Sequence, residues 1–561
     1  MKRIKRLICL LLSACFCLGL FSGCSKSDKK TDFIYPFSAD INSYDPQIAS
    51  TSDELLLIEN TFEGLVRVDD DNTVKKGCAE SWKVSDDGLT YTFKIKQGLK
   101  WNINTEKYEE GENKGKFKDK RLEMLGREFN PDITANDFVF ALRRAVKPET
   151  NAPMFASISC IKNAVKIHSG KAEADTLGVT ANDAYTLTIN LSSPDSSFLQ
   201  TLSSAIAMPC NSEFFEATNG RYGLETGYTL FNGQFYLSQI LESSYLLKRN
   251  DYYKGSSPAP GDELTLKIPD ENSNTVSLLE SGYYDAAFIT GRESEELKKA
   301  EGISYVPYDD TTWAFLLNTN NAVFQSKTMR RAFCLGLSPL SDSEKEYLKS
   351  AKTLIPRSCV LGGSSVADLI GKTAAEQNTK KSKELWHKGL EVINETEITI
   401  TIIAPNEMLN EVKMLLQGIQ SGIGTIVKNG EGDAMTFTIK VEGLENAELE
   451  KRVKQRDYDI AFYPFKSSTT SAEAFLEGFV KNSLTGFDTE PLADALKNAE
   501  KAESNALEAK AVKEAEAEIL NTYSIIPMIY ETSYYACAKG VEGIQFHPGS
   551  GRVSFVNATR E

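Results

Sequence analysis

The sequence predicts an α/β protein divided into two or more compact bodies, and three observations carry that expectation. At 561 residues the chain is far longer than a single hydrophobic core serves. From about residue 275 onward, helix-like and strand-like runs alternate in the β-α-β manner of an α/β lobe. Between about residues 180 and 270 strands dominate instead, so the two stretches belong to different bodies. No internal repeat is evident.

Taken in order, Phe33-Ile34-Tyr35-Pro36-Phe37 reads as a short strand and Asp53 to Phe62 as a helix, with Leu55, Leu56, Ile58, Thr61 and Phe62 on its apolar side. Leu65 to Val68 and Leu89 to Ile95 read as strands. The second alternates with period two, so one face is expected to be buried. Asp69 to Asn72 and Asp86-Asp87-Gly88 are turns, Gly88 supplying a positive φ. Residues 104–132 are charged and contain glycine, the composition of a solvated insertion or lid. Thr134 and Asp137 have capping-box spacing ahead of a helix that buries Phe138, Ala141, Leu142 and Ala145. Thr186–Leu191, Phe235–Leu237 and Tyr245–Lys248 are strands. In the alternating part, Val276–Glu280 is helical, and Tyr284–Ile289 and Thr312–Leu317 are strands. Ile398–Ile403 feeds a helix through Met408, Val412, Leu415, Leu416 and Ile419, followed by a strand over Thr436–Val441. Residues 491–522 form Ala/Glu/Lys-rich helix broken near Ser504-Asn505, and Ile525–Tyr530 returns to strand.

The first 24 residues predict where the protein works. Lys2, Arg3, Lys5 and Arg6 precede an apolar run, Leu7 to Leu20, that ends in Phe21-Ser22-Gly23-Cys24. A charged segment, a short apolar segment and small residues before a cysteine make a signal peptide, and the run is too short to span a bilayer comfortably. The Ser22-Gly23-Cys24 ending resembles a bacterial lipobox, with Phe21 where Leu is commoner. That resemblance implies removal of residues 1–23, lipidation at Cys24 and a polar tether over 24–31. The protein would then be held at the cell membrane by lipid alone, facing outside the cytoplasm. An ordinary secretory signal with an incidental cysteine is the alternative.

The formal charge is −15, and loss of the four leader cations leaves −19. So acidic a body argues against nucleic acid or anionic lipid as its partner. Six cysteines follow the leader (Cys78, Cys160, Cys210, Cys334, Cys359 and Cys537), widely spaced and never as CxxC, which favours buried thiols over a disulfide framework. The three histidines are scattered and no HExxH, GxSxG, P-loop or GxGxxG occurs, so no metal, cofactor or catalytic residue is expected.

Several segments carry a family resemblance. They are Phe62 to Val66, Ala79 to Phe93, Gln97 to Trp101, Ile133 to Phe138, Leu247 to Tyr253, Leu279 to Asp285, Leu317 to Asn320, Met329 to Phe333 and Ile526 to Met528. Together they resemble the family-5 extracellular solute-binding proteins of ABC importers, the oligopeptide- and dipeptide-binding proteins, over nearly the whole mature chain. The resemblance implies a two-lobed, periplasmic-binding-protein-like fold of class II type with an appended subdomain. Lobe I would comprise 32–65, 181–274 and 523–561, the appended subdomain 66–180, and lobe II 275–522. It further implies a non-enzymatic monomer that captures a peptide or peptide-like solute between hinged lobes and delivers it to the ABC permease subunits. A sensor or interaction protein using the same shell with a degenerate cleft remains the alternative.

The resemblance also supplies cleft candidates. In peptide-binding relatives a segment reading roughly Tyr-Asp-x5-Trp-x-Ala-Asp-Tyr holds the ligand's α-ammonium with its second Asp. Here Tyr458-Asp459 leads through Tyr463 and Pro464 to Phe465 at the Trp, then Lys466, Ser467 and Ser468 at the anchoring Asp. A hydroxyl in place of that carboxylate, with Lys466 beside it, would invert the local charge preference, unless the anchor has migrated or Glu531 replaces it. Pro464 removes a backbone donor. Ser38 and Ala39 follow the first strand. Asn232, Gly233 and Gln234 occupy a turn, Tyr530 and Glu531 the last strand, and Trp313 lines the pocket or belongs to the core.

Overall fold

A computed structural model describes residues 32–560 except 70–72, 196, 256–260, 271–272, 341–344, 363, 394, 420–426, 429–430, 432–433, 468–470, 500–501, 503 and 548–551. The leader, Cys24, the tether, most of the Asp69–Asn72 turn and Ser468 therefore lie outside the described residues. Among the described residues no helix is long and apolar enough to cross a membrane.

The N-terminal strand Phe33–Pro36 pairs in parallel with Glu263–Lys267, and Ser244–Arg249 and Phe235–Leu241 complete a four-stranded sheet. Phe33 and Tyr35 point inward, where their rings meet Phe555 at 5.7 and 5.9 Å. The helix Ser52–Thr61 is capped reciprocally. Thr51 Oγ1 accepts the Glu54 N–H at 3.1 Å, and Glu54 accepts the Thr51 N–H at 3.0 Å. Further along, Asn60 Oδ1 accepts the Phe555 N–H at 2.9 Å, fastening the end of the chain to this lobe.

The appended unit is a four-stranded antiparallel sheet, in order Ala79–Val84, Thr90–Ile95, Thr186–Asn190, Val179–Asp183, with the helix Ala135–Ala145 against it. Tyr91, Phe93 and Ile95 are its buried positions, as the alternation requires. Because Val179–Asn190 supplies two of the four strands, the unit extends past the expected boundary at 180. Asp137 accepts the Thr134 N–H at 2.7 Å and the Asn211 amide at 3.0 Å. Burial nevertheless pushes its carboxyl up to about 6. The 104–132 stretch is largely exposed turn with one 3₁₀ segment, Lys120–Met124. It is pinned to the body by Leu122, which is fully buried, and by Arg121, which donates to the carbonyls of Asn102 and Thr229.

The second lobe is organised by an eight-stranded mixed sheet. Its principal strands are β1 (Ala286–Ile289), β2 (Ser304–Leu317), β3 (Glu397–Pro405), β4 (Ala434–Leu444), β5 (Ile460–Lys466) and β6 (Ile525–Cys537), in spatial order β1-β6-β2-β5-β3-β4. Antiparallel pairs join β1, β6, β2 and β5; β3 and β4 pair in parallel. The sequence reading assigned everything from 523 to lobe I, but β6 is an interior strand of this sheet, paired with β2 from Ser304↔Cys537 to Leu316↔Ile525. Eleven of its thirteen residues are buried, a run without alternation because both faces and both edges are covered. Only from Val541 does the chain return to the N-terminal lobe. A second apolar cluster, including Ala314, Phe465, Phe479, Val512 and Ile525, fills the side of the sheet under the helices Ala472–Lys481, Glu490–Ala499 and Asn505–Leu520. Ser504 caps the last of these, at the break expected there.

Candidate functional site

Strand β5 pairs with β2 along its whole length, from Leu317↔Ile460 to Thr311↔Lys466, but with β3 only at Ile460 and Ala461. From Phe462 onward its second edge carries no described strand. Ser467 donates its N–H to the Asp310 carbonyl at 3.0 Å, which fixes the alternation. The main-chain groups of 463, 465 and 467 face β2, and those of 462, 464 and 466 face the open edge. Pro464 thus stands where a missing N–H disturbs no ladder bond, the position in which a strand tolerates proline.

The register also sorts the side chains. Lys466, Thr311 and Glu531 lie in a row across β5, β2 and β6, with Trp313 two residues further along β2 on the same face. Phe465, Thr312 and Tyr530 form the adjacent row and point to the opposite face. On the first face a cavity of about 730 Å³ is lined by Trp313, Tyr463, Pro464, Lys466, Glu531 and Arg292 among others. On the other side of the edge a cavity of about 850 Å³ is lined by Tyr463, Phe465, Lys466 and Ser467, with Phe475 and Phe479 contributed by the Ala472–Lys481 helix. Tyr463, Pro464 and Lys466 border both, so the free edge is the ridge between a charged cavity and an aromatic one.

Glu531 is held rigidly. Trp313 donates its indole N–H to Oε2 at 2.7 Å, and Gly291 its backbone N–H to Oε1 at 3.2 Å. Trp313 is in turn stacked on Phe462, 5.5 Å between rings at 16°. It is therefore both core and cavity wall. Burial pushes the Asp310 carboxyl up, while the nearby Lys466 ammonium and the Thr311 hydroxyl oppose that shift and the Glu531 charge adds to it.

The other predicted residues lie elsewhere. Ser38 is exposed and donates to Asp53 at 2.6 Å, and Ala39 has φ +59°; neither lines these cavities. Asn232 is buried, accepting the Glu63 N–H at 3.1 Å and donating to the Glu63 carbonyl at 2.8 Å. Gly233 packs so tightly that an added Cβ would stand 2.5 Å from the Thr61 carbonyl carbon. Gln234 is buried, its carbonyl accepting the Asn250 N–H at 2.7 Å. This turn holds two segments of lobe I together and does not face the charged or the aromatic cavity. Tyr530 is buried with its hydroxyl on Thr353, accepting that residue's N–H at 2.8 Å, so it belongs to the interior. Ser467 does border the aromatic cavity, but it is buried and its hydroxyl accepts from Cys359 at 3.4 Å.

Sequence reasoning missed Gly291, Arg292, Phe475 and Phe479. The Phe475/Phe479 spacing of four marks one helical face and was the one available signal; Gly291 acts through its backbone, which leaves no mark in sequence. Among the described residues no cluster of His, Cys, Asp or Glu is arranged to hold a metal, and all six described cysteines are free thiols.

Known proteins agree with this architecture. The dipeptide-binding protein DppE of Bacillus subtilis (strain 168) is 24% identical over 519 residues, covering 90% of this chain and 88% of its own. The substrate-binding domain of an oligopeptide ABC transporter from Bacillus anthracis str. Ames superposes with a TM-score of 0.72 at 23% identity, covering 95% of this chain and 99% of that one. Listeria monocytogenes OppA bound to peptide gives 0.72 at 21% identity, with 95% and 99% covered. The family described as bacterial extracellular solute-binding proteins, family 5 Middle, matches residues 73–487. Three quarters of the chain thus falls within one family, whose members bind solutes and are not enzymes: it belongs to the bacterial extracellular solute-binding proteins of family 5.

Proposed function

We propose that the protein is the substrate-binding subunit of an ABC importer and captures a peptide or peptide-like solute along the free edge of β5. The observation that carries this reading is a strand edge, residues 462–466, that pairs with no described strand and is flanked by two cavities of different chemistry. An extended ligand added to such an edge gains main-chain hydrogen bonds whatever its sequence, and its successive side chains turn alternately toward the two sides. Phe465, Phe475 and Phe479 suit an apolar side chain, and the Glu531–Lys466 face a polar one. Closure of the lobes over the occupied edge would be the signal read by the permease subunits. The monomeric state and the lobes moving as hinged halves belong to the same reading.

The Ser22-Gly23-Cys24 ending supports attachment to the cell membrane through lipid at Cys24. Stable retention then requires more than one acyl chain. The Cys24→Ala variant is expected to leave the membrane fraction; retention equal to wild type refutes the anchor. For capture itself, native mass spectrometry of protein purified without denaturation is expected to show a co-purifying peptide mass. Adding that peptide to stripped protein should raise the melting temperature by linkage and shrink the scattering radius. A ligand bound with micromolar affinity that changes neither refutes the closing clamp.

A further inference from the structure

Among the charged groups lining the 730 Å³ cavity, Glu531 is the carboxylate held through both of its oxygens. Lys466 lies near the buried Asp310, and its ammonium opposes the upward shift of that carboxyl. Lys345, also on the wall, is paired with the buried Glu411. Glu450 is met on the same helix by Lys454, four residues on. Glu531 differs. Its two oxygens accept neutral N–H donors, the Trp313 indole and the Gly291 amide, and among the described residues it forms no ion pair, Arg292 on the same wall included. A carboxylate has about four acceptor positions and two are filled here, so two remain for a ligand. Neutral donors orient the group without neutralising it, leaving a preorganised negative charge at the edge of a solute-sized space.

We propose that Glu531, aimed by Trp313 and Gly291, is the anchor for a cationic amine of the captured solute, taking the role for which residue 468 offers only a hydroxyl. This rests on the peptide-capture reading and narrows it to solutes that place a protonated amine in the charged cavity. Lys466 stands at the far end of the row, two strands from Glu531, and so leaves the space beside the carboxylate to a ligand cation. In the in-register row Glu531–Thr311–Lys466 the carboxylate stands two strands in from β5, so the amine that meets it belongs to a ligand group turned inward from the edge into the charged cavity. Trp313 and Gly291 are positioning groups in this scheme; Glu531 alone meets the ligand charge.

The test uses a thermolysin digest of casein in three forms: untreated, reductively methylated so that amines keep their charge, and acetylated so that they lose it. Full-length protein is stripped of ligand, exposed to each digest and read by native mass spectrometry. Wild type is expected to retain the untreated and methylated peptides at least tenfold better than the acetylated ones. Glu531→Gln still offers Trp313 an acceptor oxygen and is expected to lose that discrimination. Wild type retaining acetylated peptides as well as untreated ones overturns the anchor and leaves peptide capture standing. The tenfold preference surviving in a folded Glu531→Gln protein does the same. No peptide retained from any digest overturns the capture reading, and the anchor falls with it. Should Glu531→Gln not fold, Trp313→Phe, which keeps the carboxylate and removes its aim, is expected to weaken the preference severalfold; an undiminished preference counts against the assignment.

Discussion

Two segments were cleft candidates in the sequence, and the structure uses them in opposite ways. Asn232-Gly233-Gln234 is closed on itself: its amide clasps both main-chain groups of Glu63, and its glycine is pressed against the end of the Ser52–Thr61 helix. Tyr463 to Ser467 is closed on one side only, with a paired edge toward β2 and an open one toward the two cavities. Both are rich in hydrogen-bonding groups. What separates them is whether the protein itself satisfies those groups, which is why a polar residue in a family motif identifies a ligand contact only after its internal partners have been counted.

That contrast can be broken by substitution. The largest effect is expected on the paired side of β5. Phe465 packs on Phe479 at 4.9 Å and Tyr463 at 5.7 Å within the second core, so Phe465→Ala should cost about 3–5 kcal/mol in urea unfolding. A loss under about 1 kcal/mol would mean that the aromatic cavity wall is not part of that core. Next, Asn232→Ala leaves the Glu63 N–H unpaired in the interior and its C=O with only the Cys78 thiol, and should cost about 1–3 kcal/mol, with ligand affinity unchanged in the protein that remains folded. A variant of normal stability and lost affinity would reverse the assignment and put the turn in the cleft. The smallest effect concerns the open side. Pro464→Ala restores one outward N–H without touching the β2 ladder, so stability should move by less than about 1 kcal/mol. Affinity for an extended peptide should rise severalfold by calorimetry, and an unchanged affinity would show that no ligand carbonyl lies opposite residue 464.

Much of the fold was legible in the sequence because it rests on local rules. The Thr134/Asp137 cap, the alternation of Tyr91, Phe93 and Ile95, and the break at Ser504 each follow from a few neighbouring residues. The site was legible only in part. Trp313, Tyr463, Phe465, Lys466 and Glu531 could be found because the family motif passes through them, yet which of them share a face depends on a register set across three strands distant in sequence. The lobe boundary at 523 failed for a similar reason. The apolar run from Ile525 marks a buried strand, but nothing local says which sheet buries it, and only the pairing with β2 assigns it to the second lobe. Gly291 was invisible, since any residue supplies the same N–H.

The fastening of the chain's two ends has a consequence for its synthesis. Ile34 and Asp285 exchange hydrogen bonds, Arg560 reaches both the Asp285 carboxylate and the Asp32 carbonyl, and Val553 and Phe555 close on Asn60. The partners of the first described strand and helix thus include residues about five hundred positions further along the chain. Contacts so remote in sequence form slowly, and the first lobe stays incomplete until residues 553–560 have been made. A chain cut short before residue 553 therefore leaves the first strand and the Asn60 amide without these partners, and the first lobe is the one expected to stay unclosed.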